Sequence, residues 1–287
     1  MASPLPNPPP APPPVWAGLT LDRPRIMGVL NVTPDSFSDG GRFASGAAGA
    51  AIAAGLALRD AGADIVDVGG ESTRPGAFPI PPDEERARVL PVVRALAEAG
   101  ILVSIDTRHA ATMAAALDAG AAIVNDVSAL THDPASAALI AARGCPVVLM
   151  HTRGTPETMS SLARYGDVAA EVAAELAERI AAAERSGVAR SAIAIDPGFG
   201  FAKHPPHSLA LLRRLADLAD LGCPIVAGVS RKGFIGAYGG EADSARRLPG
   251  SLAAALFALS HGAAVLRVHD VGETVQAARV WQALHQP

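Results

Sequence analysis

Eight short, mainly apolar runs alternate along the chain with Ala- and Leu-rich stretches of helical periodicity, and this alternation limits the possible folds more than any other feature. The runs predict strands that are buried on both faces, as the strands of a parallel sheet are. They lie at residues 25–31, 64–69, 102–106, 122–126, 147–151, 193–196, 225–228 and 264–268. Eight strand–helix units favour a closed α/β barrel, the (β/α)8 or TIM barrel. The rival is an open doubly wound sheet, but no Gly-x-Gly-x-x-Gly motif follows the first run.

Helix boundaries fit this alternation. In residues 167–186 apolar side chains recur every four positions, so the sequence predicts an outer helix with Asp167 as its N-cap and Gly187 after its end. Asp83 and Pro249 mark two further helix starts. The turns between a helix and the next strand favour glycine. Glycines stand at three such places: Gly62, Gly120 and Gly262.

The N-terminal segment has a different composition from the rest of the chain. Eight of the first fourteen residues are proline, and no periodic apolar face accompanies them. Such a segment is typical of a stiff, polyproline-like or disordered tail. We therefore predict a disordered Pro-rich tail at residues 1–20 and a single barrel domain at residues 21–287.

Composition argues against several classes of function. The net charge of −4, with 24 Lys and Arg residues, gives no broad positive field, so nucleic acid is not an expected partner. Gly, Asp or Arg interrupts every apolar run before it reaches the roughly 20 residues that span a bilayer, so no membrane segment is expected. The two cysteines, Cys145 and Cys223, are expected to be buried free thiols, which favours the reduced cytoplasm.

Polar residues collect at the C-terminal ends of the predicted strands, where (β/α)8 barrels build their sites. One polar residue at a strand end is commonly a helix cap or a turn former. Here all eight ends carry them: Asn31; Glu71, Ser72, Thr73 and Arg74; Asp106; Asn125 and Asp126; His151; Asp196; Ser230, Arg231 and Lys232; Arg267 and His269. Together they indicate one polar site at the mouth of a barrel.

The polar groups at this mouth are of two kinds. Asp106, Asn125 and Asp196 offer carboxylate and amide groups that suit the donor-rich edge of an aminopyrimidinone ring. Donors that suit a phosphate group are found on Asn31, Arg74, Arg267 and His269. The sequence has neither a His or Cys cluster at metal-ligand spacing nor a Gly-x-Ser-x-Gly elbow. Structural zinc and triad hydrolysis are therefore poor fits.

Several of these residues lie in motifs that resemble those of the dihydropteroate synthase family. The two long motifs are GVLNVTPDSFSDGG at residues 28–41 and DVGGESTRPG at residues 67–76. Five shorter segments follow in the family's order: SIDT at 104–107, VND at 124–126, DPGFGF at 196–201, VSRK at 229–232 and RVHD at 267–270. The resemblance spans about residues 25–285. It departs from the common pattern at Gly233 and Thr152, and the first departure puts in doubt a side-chain contact to the aminobenzoate carboxylate.

The resemblance implies a role for each matching residue. The pterin ring is expected to contact Asp106, Asn125, Met150, Asp196 and Lys232. The diphosphate is expected to contact Asn31, Thr73, Arg267 and His269, and Asn31 is also expected to bind Mg²⁺. The aminobenzoate site is expected to contain Thr73, Arg74, Pro75, Phe201 and Lys232. The catalytic residues are expected to be Asp106, Asp196, Lys232, Arg267 and His269, and the loop with Asp35, Ser36 and Phe37 is expected to close over the reacting groups.

The resemblance also implies an activity and an assembly. The expected enzyme joins a dihydropterin diphosphate to 4-aminobenzoate by an SN1-like path and forms a homodimer. Two alternatives remain open. A catalytically silent relative would keep the pterin pocket without turnover, and a pterin-dependent methyltransferase domain that serves a corrinoid protein would share the barrel. The second alternative would not need Arg267 and His269 as a diphosphate clamp, nor the aminobenzoate loop.

Overall fold

The chain closes into a barrel of eight parallel strands. The computed structural model describes residues 13–33, 45–72 and 79–285, with backbone only at 45–47. The barrel strands are β3 (Arg25–Asn31), β4 (Ile65–Gly69), β5 (Val103–Asp106), β6 (Ile123–Asp126), β7 (Val147–Met150), β8 (Ile193–Asp196), β9 (Ile225–Ala227) and β10 (Ala263–Val268). They pair in chain order, and β10 pairs with β3 to close the ring. The predicted (β/α)8 fold is confirmed.

Helices surround this ring. Within the described residues they are α1 (Ser45–Asp60), α2 (Pro82–Glu98), α3 (Ala110–Asp118), α4 (Ser136–Arg143), α5 (Val168–Arg185), α6 (Pro205–Arg213), α7 (Gly233–Gly239), α8 (Leu248–Ser260) and α9 (Val271–His285). No helix of the described ranges combines the length and the apolar character that a bilayer span requires. Cys145 and Cys223 are buried and free, as predicted.

Local sequence signals set the ends of these elements. The Asp167 carboxylate accepts hydrogen bonds from the backbone N–H groups of Ala169 and Ala170, so it caps α5 as predicted. Gly62, Gly120 and Gly262 all adopt positive φ angles, which are the backbone conformation that glycine tolerates best. Each predicted strand is found, and its bounds differ from the prediction by at most one residue at an end.

A small hairpin closes the N-terminal end of the barrel. It consists of β1 (Val15–Trp16) and β2 (Leu19–Thr20), which pair antiparallel. The Trp16 side chain is 1% exposed, and its Nε1–H donates to the carbonyl of Ala192 at 3.0 Å. It packs on a layer of barrel-interior side chains: Met27, Ile65, Ile123, Val148, Ala194, Val226 and Val265. The prediction of disorder for residues 1–20 is therefore wrong for residues 15–20, because the floor of the barrel buries the tryptophan; residues 1–12 lie outside the described residues.

Candidate active site

A polar pocket opens at the C-terminal ends of the barrel strands. Six residues that the sequence analysis placed in the site line it: Asn125, Met150, Asp196, Phe201, Lys232 and Arg267. Val127, Gly198, Phe199 and Gly228 complete the lining. Strand register brings several of them together, since Met150 pairs with Asp196 across β7 and β8, and Asp106 pairs with Asn125 across β5 and β6. The closed ring thus collects residues that are far apart in sequence.

A network of carboxylates and one guanidinium lies beside this pocket. Arg267 donates from Nε to Asp67 Oδ2 at 2.6 Å and from Nη2 to Asp106 Oδ2 at 2.7 Å. Asn125 Nδ2 donates to the same Asp67 oxygen at 3.0 Å. Asp67 therefore fixes both Arg267 and Asn125, while Arg267 links the two carboxylates. This places Arg267 among the residues predicted for the pterin.

A sharp turn follows β8 and carries Phe201. The Asp196 Oδ1 atom accepts a hydrogen bond from the Gly198 backbone N–H at 2.7 Å. Gly198 and Gly200 both have positive φ angles, and so does Ala202, where such a conformation is uncommon. The Lys232 Nζ atom lies 4.3 Å from the centre of the Phe201 ring, within the range of a cation–π contact. Two of the five residues predicted for the aminobenzoate site thus touch each other.

Burial shifts the pKa values of the charged groups in this site. Removal from water raises the pKa of Asp106, although the positive charge of Arg267 opposes the shift, and it also raises the pKa of Asp196. The same cause lowers the pKa of Lys232 to about 8, against the attraction of Asp196. Burial lowers the pKa of His269 to about 4, and the positive charge of Arg267 is the second-largest cause of this shift. His269 is therefore a neutral imidazole at pH 7.

The end of β10 continues into a second polar group. His269 Nδ1 lies 3.1 Å from Ser230 Oγ, and Arg231 Nε donates to Asp270 Oδ2 at 3.0 Å. Arg231 is thus a paired arginine. Asn31 is half-buried at the C-terminal end of β3, where it pairs in register with Gly69. The structure therefore places Asn31 and His269 at the same end of the barrel as the pocket, as predicted.

Behind the pocket lies a buried lysine with several partners. Lys203 is 6% exposed, and its Nζ atom lies 2.8 Å from His151 Nδ1 and 3.1 Å from each of the Gly198 and Phe201 carbonyl oxygens. His151 Nε2 in turn lies 3.0 Å from Glu175 Oε2, and Arg153 Nε donates to Glu175 Oε1 at 3.0 Å. Burial lowers the pKa of Lys203 to about 7. His151 is a buried residue, and both of its ring nitrogens have hydrogen-bond partners.

Comparison with known proteins identifies the family. Residues 27–269 match the family model described as pterin binding enzyme. The dihydropteroate synthase of Neisseria meningitidis serogroup B is 47% identical over 268 residues, which cover 92% of this chain and 94% of that protein. The chain belongs to the dihydropteroate synthase family.

Solved dihydropteroate synthases also share the fold. A structure from Xanthomonas albilineans with 4-aminobenzoic acid has a TM-score of 0.88 and 48% sequence identity, and covers 94% of this chain and 97% of that one. Another from the same organism, in complex with 7,8-dihydropteroate, has a TM-score of 0.85 and 45% identity at the same coverage. The similarity extends over nearly the whole barrel, so the family resemblance found in the motifs is confirmed.

Part of the predicted dihydropteroate synthase site lies outside the described residues. This holds for Thr73, Arg74 and Pro75, and for the first loop with Asp35, Ser36 and Phe37. Asp126 is described, and it forms a turn: its carboxylate accepts from the backbone N–H groups of Ser128 and Leu130.

Two buried residues that hold residues of the site in place were missed by the sequence analysis. Asp67 is fully buried, and the available signal was a charged residue inside the apolar strand IVDVG. Lys203 carried a different signal, because the chain has only two lysines, Lys203 and Lys232. Neither signal reveals the partners, which lie on other strands and loops.

Proposed function

We propose that this chain condenses (7,8-dihydropterin-6-yl)methyl diphosphate with 4-aminobenzoate to give 7,8-dihydropteroate and diphosphate. The main support is the pocket at the strand ends, which joins the residues predicted for the pterin to Phe201 and Lys232, predicted for the aminobenzoate. The bound molecules in the related Xanthomonas albilineans structures, 4-aminobenzoic acid and 7,8-dihydropteroate, are a substrate and the product of this reaction.

The pterin is assigned to the buried carboxylates. Asp106 and Asp196 accept hydrogen bonds from the ring N–H groups, Asn125 adds its amide, and Met150 supplies an apolar surface. When the diphosphate leaves, positive charge develops on the pterin methylene and spreads over the ring. Carboxylates that burial has stripped of water stabilise such a cation more strongly than exposed ones. This favours an SN1-like path, in which the carbon–oxygen bond breaks before the amine attacks.

The diphosphate is assigned to Asn31, Arg267 and His269, together with Thr73. A guanidinium has five N–H donors, so Arg267 can hold Asp67 and Asp106 and still face a phosphate group. The neutral His269 adds a hydrogen bond, and its pKa rises when the anion arrives, because a nearby negative charge favours the protonated ring. A hydrogen bond from His269 stabilises the departing diphosphate.

The 4-aminobenzoate is assigned to the mouth of the pocket. Lys232 attracts its carboxylate, and the Phe201 ring, already in contact with Lys232 Nζ, offers an apolar face to its benzene ring. Thr73, Arg74 and Pro75 belong to the same proposed site. The aromatic amine is a nucleophile with a weakly basic nitrogen, so it attacks without a dedicated general base.

Magnesium is assigned to the same mouth, with Asn31 as its protein ligand. The described residues hold no group of three or more His, Cys, Asp or Glu side chains that forms a metal cage. Mg²⁺ takes oxygen ligands and commonly keeps several waters and substrate phosphates in its shell, so it does not need a cage of protein side chains. When bound, it neutralises charge on the diphosphate. Asn31, the last residue of β3, would contribute its amide oxygen.

The proposal is tested by incubating the purified protein with both substrates, with and without Mg²⁺, and by measuring dihydropteroate and diphosphate in equal amounts. A protein that binds the pterin without releasing diphosphate would instead be the silent relative. Methyl transfer to a corrinoid protein, without any use of aminobenzoate, would identify the methyltransferase alternative. Chelation by EDTA is expected to abolish turnover, and added Mg²⁺ to restore it.

The protein is further proposed to act in the cytoplasm as a homodimer. An apolar groove lies between α6, α7 and α8, and two aromatic side chains on it are exposed, Tyr238 by 57% and Phe257 by 39%. Apolar surface of this kind is characteristic of protein interfaces. A second copy of the chain is the occupant that the family implies, and its own groove would supply the matching surface in a two-fold arrangement.

We expect Tyr238→Asp to shift the protein from dimer to monomer, because it places a charge in the centre of an apolar contact. Light scattering coupled to gel filtration measures the mass directly. Leu284→Asp is the matched control, since Leu284 is 77% exposed on α9 and does not line the groove. A dimer that survives Tyr238→Asp as well as it survives the control would locate the interface elsewhere.

A further inference from the structure

We propose that Lys203 is a positioning residue: its ammonium fixes the Gly198–Phe201 turn against His151 and thereby sets the place of Phe201 beside Lys232. Lys203 does not line the substrate pocket, whereas Gly198, Phe199 and Phe201 do. The inference rests on the proposed function where it concerns aminobenzoate, and on the geometry alone where it concerns the turn.

The hydrogen bonds of Lys203 account for all three of its donors. The ammonium group, which is the form of Lys203 below its pKa of about 7, has three N–H bonds and no acceptor. The three atoms within hydrogen-bonding distance of Nζ are His151 Nδ1, the Gly198 carbonyl oxygen and the Phe201 carbonyl oxygen. Because Nδ1 accepts from the ammonium, the ring proton of His151 lies on Nε2 and is donated to Glu175. One buried side chain therefore joins the end of β7 to both ends of the turn.

The turn needs such an attachment because its backbone conformation is uncommon. Positive φ angles occur at Gly198, Gly200 and Ala202, with values of 69°, 80° and 48°. A non-glycine residue in the left-handed region is strained and persists only where its surroundings hold it there. Lys203 directly follows Ala202. Its ammonium binds the carbonyl oxygens of Gly198 and Phe201 and thereby stabilises this backbone conformation.

Lys203 affects the shape of the pocket through its bond to Phe201. Lys203 binds the backbone carbonyl of Phe201, and the Phe201 ring lies 4.3 Å from Lys232 Nζ. Loss of the three donors frees this carbonyl and lets the ring move relative to Lys232. The shape of the pocket then changes on the aminobenzoate side. On the pterin side, Asn125 keeps its hydrogen bond to Asp67 on β4, and Asp106 keeps its hydrogen bond from Arg267 on β10.

The lysine content of the chain allows a direct test. With only Lys203 and Lys232 present, protein labelled with ¹³Cε-lysine gives two side-chain resonances. The Phe201 ring shields the ε-protons of Lys232, and Phe201→Leu measures how large that shielding is. In Lys203→Met, which keeps the length of the side chain but removes its donors, we expect the Lys232 resonance to lose most of this shielding.

Steady-state kinetics provide a second test of the same variant. In Lys203→Met the KM for 4-aminobenzoate is expected to rise by about tenfold, and the KM for the pterin diphosphate to change by less than about twofold. Arg190→Met is the matched control: Arg190 also donates to a backbone carbonyl, that of Leu221, but it lies ahead of the opposite end of β8. Neither the Lys232 resonance nor either KM is expected to change in the control.

The outcomes separate positioning from a merely structural role. A lower melting temperature with an unchanged Lys232 resonance and an unchanged ratio of the two KM values would overturn the proposal. If Lys203→Met does not fold, the proposal is tested on the wild-type protein instead. At pH 6, ¹⁵N-lysine spectra are expected to show slowly exchanging ammonium protons on Lys203, and exchange as fast as that of free lysine would reject its three hydrogen bonds. The NMR measurements need no turnover, so a failure of the proposed function would not be mistaken for a failure of this one.

Discussion

Alanine in place of Asp106 is expected to lower the rate of dihydropteroate formation by roughly 10²-fold or more. The carboxylate lies at the end of β5, where it accepts a hydrogen bond from Arg267 and is assigned to the developing cation on the pterin. Removing it takes away negative charge from a site that contains little water to replace it. Arg267 keeps its bond to Asp67, so the barrel is expected to remain folded.

Steady-state kinetics with both substrates measure this effect, and thermal unfolding checks the fold. Asp60→Ala is the matched control, because that carboxylate is 66% exposed at the last residue of α1, ahead of the end of β4 that is opposite the pocket. Its rate is expected to equal that of the wild type. A rate within about threefold of wild type for Asp106→Ala would contradict the electrostatic role assigned to this carboxylate.

Gly198→Ala is expected to destabilise the protein by about 3 kcal/mol or more and to abolish activity. A methyl group at this position would lie 1.9 Å from the carbonyl oxygen of His151, which belongs to the backbone and cannot rotate away. Overpacking costs about 1–3 kcal/mol, and the left-handed conformation adds about 1–2 kcal/mol for a residue with a Cβ atom. The clash also displaces the turn that lines the pocket.

Gly144→Ala isolates the clash from the cost of the backbone conformation. Gly144 ends α4 with a φ of 60°, close to the 69° of Gly198, but a methyl group there would meet no atom within 4 Å. We expect it to lose only about 1–2 kcal/mol and to keep full activity. Urea unfolding of the two variants gives the difference, and equal losses of stability would mean that the turn after β8 relaxes around the new methyl group.

The proposed site consists of two parts that different structural elements hold in place. Asp67, Asp106, Asn125 and Arg267 lie on or beside barrel strands and hold one another through side-chain bonds. Phe201, by contrast, lies on a turn whose shape depends on Gly198 and on buried Lys203. The two variants above affect these parts separately: Asp106→Ala changes charge without moving the backbone, and Gly198→Ala moves the backbone without removing a charge.

The sequence alone determined the elements of the fold and most residues of the proposed site. Strand positions followed from the apolar runs, the start of α5 from Asp167, and the helix–strand turns from their glycines, because each depends on neighbours within a few residues. The site residues at the strand ends were found for a related reason. In a parallel barrel every strand presents the same end to the mouth, so the position of a residue along its strand fixes its place.

Only the tertiary structure decided which side chains meet. Arg267 contacts Asp67 from 200 residues away, and Lys203 reaches His151 from 52 residues away; neither pairing leaves a periodic trace in the sequence. The burial of Trp16 is a similar case, since the proline-rich composition around it predicted disorder. Closure of the barrel creates both the floor that covers this tryptophan and the water-poor mouth that shifts the pKa values of Asp106, Lys203 and His269. Burial and long-range contacts arise when the barrel closes, and closure requires all eight strands rather than any one local segment of the chain.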